Sequence, residues 1–238
     1  TTYVAPNSQH KFLSDKRLRE ALSLATDRAG FAQSVYSGSA LPAGSFLPPA
    51  MWSYDASLQH KQDVERAKQL VKASGYDGSE LVLFATARDV EVKRATEILQ
   101  ADWAKIGVKV RVQLMELGEL YKRTGRGEHD LSFMSWFSDN GDPDNFLTPN
   151  LSCAAVEGGG NKARWCNAEF DKLLAEARSA TDPKKRTELY VKAQRLLRDE
   201  TGLIPLAHRI VLTAVHKRVH GYIPTLFGGN DFRAARLD

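Results

Sequence analysis

The chain has 238 residues, 42% of them hydrophobic and 26% charged, with a formal net charge of +4. That composition is ordinary for a globular protein with ample core, and no apolar run approaches the roughly 18 residues that a membrane-spanning helix needs. Its 33 lysines and arginines are interleaved with 29 acids, as in DPKKRTELYVKAQRLLRDE (182–200), so no one-sided basic stripe forms and no nucleic-acid partner is expected.

The chain opens TTYVAPNSQHKF, strand-like and without an initiator Met, a basic start or an apolar leader, and reads as a cut within a longer protein. Ser14 or Asp15 starts a helix with Leu18, Ala21, Leu22 and Ala25 on one face. Asp27 caps a short second helix through Tyr36, closed by Gly38. SALPAGSFLPPAMWSYD then reads as an extended loop whose Phe46, Leu47, Met51, Trp52 and Tyr54 call for burial. Asp63 opens a helix through Ala73 that ends at Gly75, where a left-handed backbone suits glycine.

ELVLFAT is a strand, VEVKRATEILQADWAKIG a helix, and VKVRVQL a strand with Val108, Val110, Val112 and Leu114 on its buried face. A short helix from Leu117 leads to the strand HDLSFMSW. Asn167 caps a helix to about Ala177, and Asp182 with Pro183 starts another to about Asp199. Strand-like LIPLAHRIVLTAVH and an irregular tail from Gly221 finish the chain. Alternating strands and helices predict an α/β fold, with no linker-like boundary before about residue 207.

Two cysteines, Cys153 and Cys166, bracket a Gly-rich loop. Their spacing fits no short metal motif and no histidine lies between them, so the pair reads as one disulfide, with two free thiols as the alternative. A disulfide implies an oxidising compartment and an exported protein.

The densest chemistry lies in SWFSDNGDPDNF (135–146). As an EF-hand the loop fails, because Gly141 stands third from Asp139 and Asp144 stands where the glycine belongs. As an acid–base pair, Asp139 and Asp142 lack any nucleophile or oxyanion motif, and no GxSxG, HExxH, GxxxxGK[ST] or GxGxxG occurs. Neither a catalytic residue nor a metal or other cofactor is therefore expected; a carboxylate-pair hydrolase is the rival of another class. Asn140, Gly141 and Pro143 read as a turn, with Asp142 and Asp144 serving it. Asp139, at the mouth of the apolar strand beside Trp136 and Phe137, reads equally as a turn residue or as a socket for an ammonium group.

These residues, MSWFSDNGDPDNF…LSCAA…WC…FD, together with YVAPN, LREALSLATDR, PPAMW, QADWAKIGV, GEH and HKRVHGYIP, closely resemble the periplasmic dipeptide-binding proteins of the peptide/nickel ABC-transporter solute-binding family. The resemblance covers essentially the whole chain and corresponds to about the C-terminal half of a family member. It implies a periplasmic-binding-protein type II-like fold. Residues 1–207 would be lobe II of a two-lobed clamp, and 208–238 a segment returning to lobe I, the missing N-terminal lobe of the same protein. Asp139 matches the carboxylate that receives a peptide α-ammonium, and Trp136 an aromatic lining that pocket. Arg88 matches the cation for the peptide carboxylate. Here the family's RPYNP-like continuation is replaced by the shorter ARDVEVKRA, so Lys93 or Arg94 are substitutes. Cys153 and Cys166 align with the family's disulfide. The partners so implied are a di- or short peptide and an inner-membrane ABC permease, in the periplasm. Haem, a nickel complex or another small solute is the alternative cargo.

Overall fold

Five side chains fix where helices begin. Asp15, Asp27, Asp63, Asn167 and Asp182 each accept a backbone N–H of the first turn, satisfying donors that no helical carbonyl can reach. The computed structural model describes residues 1–224 and 230–238. In chain order they form β1 (Thr2–Pro6), α1 (Lys16–Ala25), α2 (Arg28–Tyr36), β2 (Ala40–Pro42), α3 (Val64–Ala73), β3 (Leu81–Thr86) and α4 (Val90–Ala104). There follow β4 (Val110–Met115), α5 (Leu117–Gly125), β5 (Leu131–Ser135), α6 (Pro143–Leu151), α7 (Ala168–Ser179), α8 (Pro183–Asp199) and β6 (Ile204–Arg209). The cap of α8 carries extra weight because Lys184 and Lys185 crowd the positive end of the helix dipole. Asp182→Ala is expected to cost about 1 kcal/mol of stability, read as a shift in urea midpoint. An unchanged midpoint would mean that packing alone sets the start of α8.

The strands build one mixed sheet in the order β2-β6-β1-β5-β3-β4. β3 runs parallel to β4 and β5, whereas β1 is antiparallel to both β5 and β6. Period-two alternation divides the core between the two faces. Val4, Leu83, Ala85, Leu131, Phe133 and Leu206 point to the face covered by α1 to α4, around the fully buried Trp103. Tyr3, Ala5, Phe84 and Met134 point to the other face, against Phe46, Leu47, Phe146, Phe170 and Tyr190. The result is a three-layer α/β/α arrangement.

His129 is buried on the second face. Its Nε2 donates to the Lys162 carbonyl (2.6 Å), while Nδ1 has no partner among the described residues. Burial holds its pKa down, to about 4, against a smaller upward pull from that hydrogen bond. A histidine depressed in the folded state binds its proton more readily when unfolded. Its contribution to stability is therefore intact above the ordinary value near 6.5 and is lost as pH falls towards 4. Urea midpoints are expected to drop across that window, with a shallower drop in His129→Gln; parallel curves would remove His129 as a cause.

Five features depart from the sequence expectation. The proline loop contains β2, which pairs with the end of β6. In the same loop Phe46, Leu47 and Met51 are buried as expected, but Trp52 is 47% exposed and Tyr54 only half-buried. Trp52 packs edge-on against Tyr190 (5.7 Å) with the Arg186 guanidinium over its ring, so it lies over the domain surface instead of entering the core. Residues 143–151 form α6, where only a turn was expected, with Asp142 as its cap. Leu114 is 40% exposed, because β4 is the sheet edge and Leu114 stands near its C-terminal end. Beyond Arg209 the strand-like pattern ends. The short strands β7 (Val219–His220), β8 (Ile223–Pro224), β9 (Asn230–Asp231) and β10 (Arg236–Leu237) make two small ribbons, β10-β7 and β8-β9. Residues 225–229 of the expected segment 208–238 lie outside the described residues.

Candidate functional site

Strand directions bring the candidate residues to one end of the sheet. β3, β4, β5 and β6 all terminate there, and β1 begins there. In open α/β sheets that end, outside the carboxyl ends of the strands, is where ligands bind. Phe84 stands opposite Ser132 in parallel strands, so β3 leads on to Arg88 and β5 to Trp136 at the same end of the sheet. The ladder runs on past β3, with the Ala87 N–H donating to the Met115 carbonyl (2.8 Å), and past β5, with the Trp136 N–H donating to the Thr1 carbonyl (2.9 Å).

Trp136 falls on the second face by alternation from Met134 and packs against that core. Its indole Nε1 is buried and has no acceptor among the described residues. Phe137, the next residue, faces outward and is exposed, as is Leu114 at the end of β4. An aromatic with an unpartnered donor, next to the exposed Phe137, suits a ligand that is part apolar and part polar.

The aspartate loop separates into distinct roles. Ser138 Oγ accepts the Gly141 N–H (2.7 Å) and Asn140 Oδ1 accepts the Asp142 N–H (3.0 Å), which tightens the chain around Gly141, whose φ is +74°. Asp142 caps α6 through the Asp144 N–H and pairs with Arg186 Nη2 at 2.8 Å. Arg186 is held in turn by the Ala177 carbonyl (3.1 Å) and the Tyr190 hydroxyl (3.3 Å), so α8 clamps the base of the loop. Asp144 accepts from Thr148 Oγ1 (2.6 Å) and lies 3.7 Å from Arg178. Asp139 differs from both. Its backbone N–H donates to Asn145 Oδ1 (3.0 Å) and its Oδ2 accepts from Asn145 Nδ2 (3.2 Å), yet no cation pairs with it among the described residues, and it is exposed. One neutral amide thus holds both the backbone and the carboxylate of Asp139 without cancelling the charge. Asp142 is engaged by a helix cap and an arginine, whereas Asp139 has neither.

The three cations considered for the opposite pole also differ. Arg94 donates to the Ser34 carbonyl (3.0 Å), tying it to α2. Lys93 lies exposed in the first turn of α4. Arg88 emerges directly from the end of β3, exposed, with no ion pair among the described residues; its backbone N–H donates to Thr86 Oγ1 (3.3 Å). Asn145 reads from the sequence as a backbone-bonding turn residue, and it is one, accepting the Asp139 N–H; its second contact, to the Asp139 carboxylate, was not foreseen. Arg186 was not singled out, because it reaches the loop from α8, far along the chain.

Among the described residues no cluster of three His, Cys, Asp or Glu could hold a metal ion. Cys153 and Cys166 form a disulfide. It closes a loop in which Asn161 Nδ2 donates to the Ser152 and Trp165 carbonyls (3.0 and 2.8 Å). That loop connects α6, at the base of the aspartate motif, to α7.

Comparison with known proteins agrees with this architecture. Residues 1–158 match the family described as bacterial extracellular solute-binding proteins, family 5 Middle. The chain is 40% identical over 237 residues to probable di/tripeptide-binding protein 5 of Pseudomonas aeruginosa (strain UCBPP-PA14), covering 98% of this chain and 45% of that protein. It is 37% identical over 242 residues to heme-binding protein A of Haemophilus influenzae, covering 99% of this chain and 44% of that one. The crystal structure of a dipeptide-binding protein from Pseudoalteromonas sp. SM9913 in complex with Met-Leu superposes with a TM-score of 0.91 at 33% identity, over 100% of this chain and 48% of the other. The chain spans about half the length of these relatives. Its fold is that of a periplasmic-binding-protein type II lobe, and the chain belongs to family 5 of the bacterial extracellular solute-binding proteins.

Proposed function

We propose that this chain is the ligand-gripping lobe of a receptor that captures di- or tripeptides for an ABC importer. The observation that carries the reading is Asp139, an exposed carboxylate without a cationic partner, oriented by Asn145 at the sheet end where Arg88 also emerges. A zwitterionic peptide needs an anion and a cation set apart by its length. In this reading Asp139 receives the α-ammonium, Trp136 lines that pocket and Arg88 faces the carboxylate. The lobe, expected over residues 1–207, runs on through His208 and Arg209 to the end of β6, and the remainder of 208–238 returns to a second lobe that the relatives' extra length would supply. Two features support that division: β1 starts and β6 ends side by side at the ligand end, and past Arg209 the apolar Ile210, Val211, Leu212 and Val215 stand exposed. Closure of a second lobe would exclude water and strengthen both polar contacts, so ligand selects the closed state for a membrane permease to recognise. A disulfide and kinship with extracellular receptors favour the periplasm.

Calorimetric titration of the full-length receptor tests the reading with three probes: a dipeptide, its N-acetyl derivative and its C-terminal amide. Tight binding of the dipeptide and weak binding of both derivatives is the expected result; equal binding of the N-acetyl form would overturn the role of Asp139. Arg88→Ala should weaken dipeptide binding about tenfold, near the scale of one exposed-edge charged hydrogen bond, and should leave the weak binding of the amide unchanged. If dipeptide and amide bind equally to the parent protein, no cation reads the carboxylate.

Haem is the second reading, favoured by the identity to heme-binding protein A. A Soret shift on titration with haemin, reversed by excess dipeptide, would place haem in the same cleft; no shift would leave peptide as the ligand.

A further inference from the structure

A small cavity of about 50 Å³ lies away from the aspartate loop, at the edge of β6. β2 covers only Ala207–Arg209 of that strand, and α2 and α8 close over the remainder. Two guanidinium groups line the cavity, Arg28 from α2 and Arg198 from α8, together with His60, Gln59, Gln194 and Ser45. No aspartate or glutamate lines it.

Arg28 is 4% exposed. Its Nε donates to the Pro205 carbonyl (2.6 Å), Nη1 to the Ser23 carbonyl (3.0 Å) and Nη2 to Ser23 Oγ (2.9 Å). A guanidinium has five N–H groups, so one on each terminal nitrogen has no acceptor among the described residues. No carboxylate pairs with Arg28 or with Arg198 there. The nearby acids are engaged: Asp27 caps α2, and Asp55 pairs with Arg195 at 2.8 Å.

The buried Arg19 shows what compensation looks like in this protein. Four backbone carbonyls accept from it, and Glu200 and Asp15 add favourable charge. Arg28 instead has burial and then Arg198 acting against its charge, which pulls its pKa down to about 9. His60 cannot offset this. Its Nε2 contacts the Thr26 carbonyl (3.1 Å), and burial followed by Arg28 keeps the ring neutral, with a pKa of about 3. Gln194 is saturated as well, its Oε1 accepting from Ser45 Oγ and its Nε2 donating to the Ser53 and Tyr190 carbonyls.

A buried cation is ordinarily paired. Here two arginines line one cavity, Arg28 has two N–H groups without an acceptor among the described residues, and no aspartate or glutamate lines the space. We propose that the cavity binds a monovalent anion of chloride size, held between Arg28 and Arg198. The cavity has room for one small ion, and one negative charge neutralises the buried guanidinium while Arg198 closes the outer side. Such an ion joins α2 to α8 across the uncovered edge of β6 and is independent of the peptide site.

Thermal and urea unfolding of the full chain should be compared in sodium chloride, sodium bromide and sodium gluconate at one ionic strength. The halides are expected to stabilise and gluconate is not. At free halide about 100 times Kd, the folding equilibrium constant rises about 100-fold. A bromide-soaked crystal should show an anomalous peak between the two guanidiniums. Arg198→Gln, an exposed position expected to fold normally, should lower the halide affinity about tenfold, the scale of a charge-assisted contact. Arg28→Met should abolish the halide response if it folds; Arg198→Gln decides the matter if it does not. Equal stabilisation by gluconate overturns the proposal, as does a bromide peak without halide-specific stabilisation, which marks binding at crystal concentration only.

Discussion

Asp139→Ala is expected to weaken dipeptide binding to the full-length receptor by about 2–3 kcal/mol, or about 30- to 150-fold, the cost of removing one partner of a charge pair that ligand closure desolvates. The size follows from its surroundings. Asp142 and Asp144 already have Arg186 and Arg178 beside them, so an incoming ammonium would compete with a resident cation at either one. Asp139 has only the neutral Asn145 amide, which orients the carboxylate without cancelling its charge. Asp139→Asn separates the two functions: the orienting contacts can survive while the charge is gone, and most of the loss should remain. Asp144→Ala should leave affinity nearly unchanged. Calorimetry on the three variants checks the ordering. Wild-type affinity in Asp139→Ala would remove Asp139 from the site and return the loop to a turn and a helix cap.

Replacing both Cys153 and Cys166 by serine is expected to destabilise the fold by about 3 kcal/mol. The two residues are 13 apart in sequence, and opening a loop of that size releases about this much chain entropy in the unfolded state. Native contacts persist after the change: Asn161 still bridges Ser152 and Trp165, and the Cys153 backbone N–H still reaches Asp171 (3.2 Å) if serine keeps the geometry. The loss should therefore appear in the equilibrium stability rather than in the native structure near α7. Urea unfolding of the parent with and without reductant, beside the double variant, makes the comparison. A cost well below 1 kcal/mol would mean that the unfolded chain retains this loop on its own. A secondary loss of ligand affinity would show that the loop also supports α6 and the aspartate motif above it.

Local signals account for most of the element order. Asp63 and Gly75 bracket α3, and Asp182-Pro183 opens α8, because caps and breakers act within a few residues. The same Asp-Pro signature at Asp142-Pro143 opens α6, but the neighbouring Asn140-Gly141 turn signal and the short, weakly patterned PDNFLTPNL masked it. Trp52 illustrates a different limit. Hydrophobicity calls for burial, whereas edge-on packing against Tyr190 beneath Arg186 satisfies the ring at the surface. Leu114 continued a clean alternation, and only its place on the edge strand leaves it uncovered.

For the site, residue type left Asp139 open between a turn residue and an ammonium socket, and the family resemblance nominated Trp136 and Arg88 beside it; Cys153 and Cys166 read as one disulfide from their setting, and they form it. Which of three neighbouring carboxylates keeps its charge available depended on Arg186 and Arg178, which reach the loop from α8 and α7 and lie more than thirty positions away. That Arg88 and Trp136 follow strands ending at one sheet end likewise came from the parallel pairing of β3 with β5, segments nearly fifty positions apart. Caps and turns are short-range hydrogen bonds that adjacent residues make for themselves. Strand order and charge compensation arise between distant segments, and they take shape only when the layers pack.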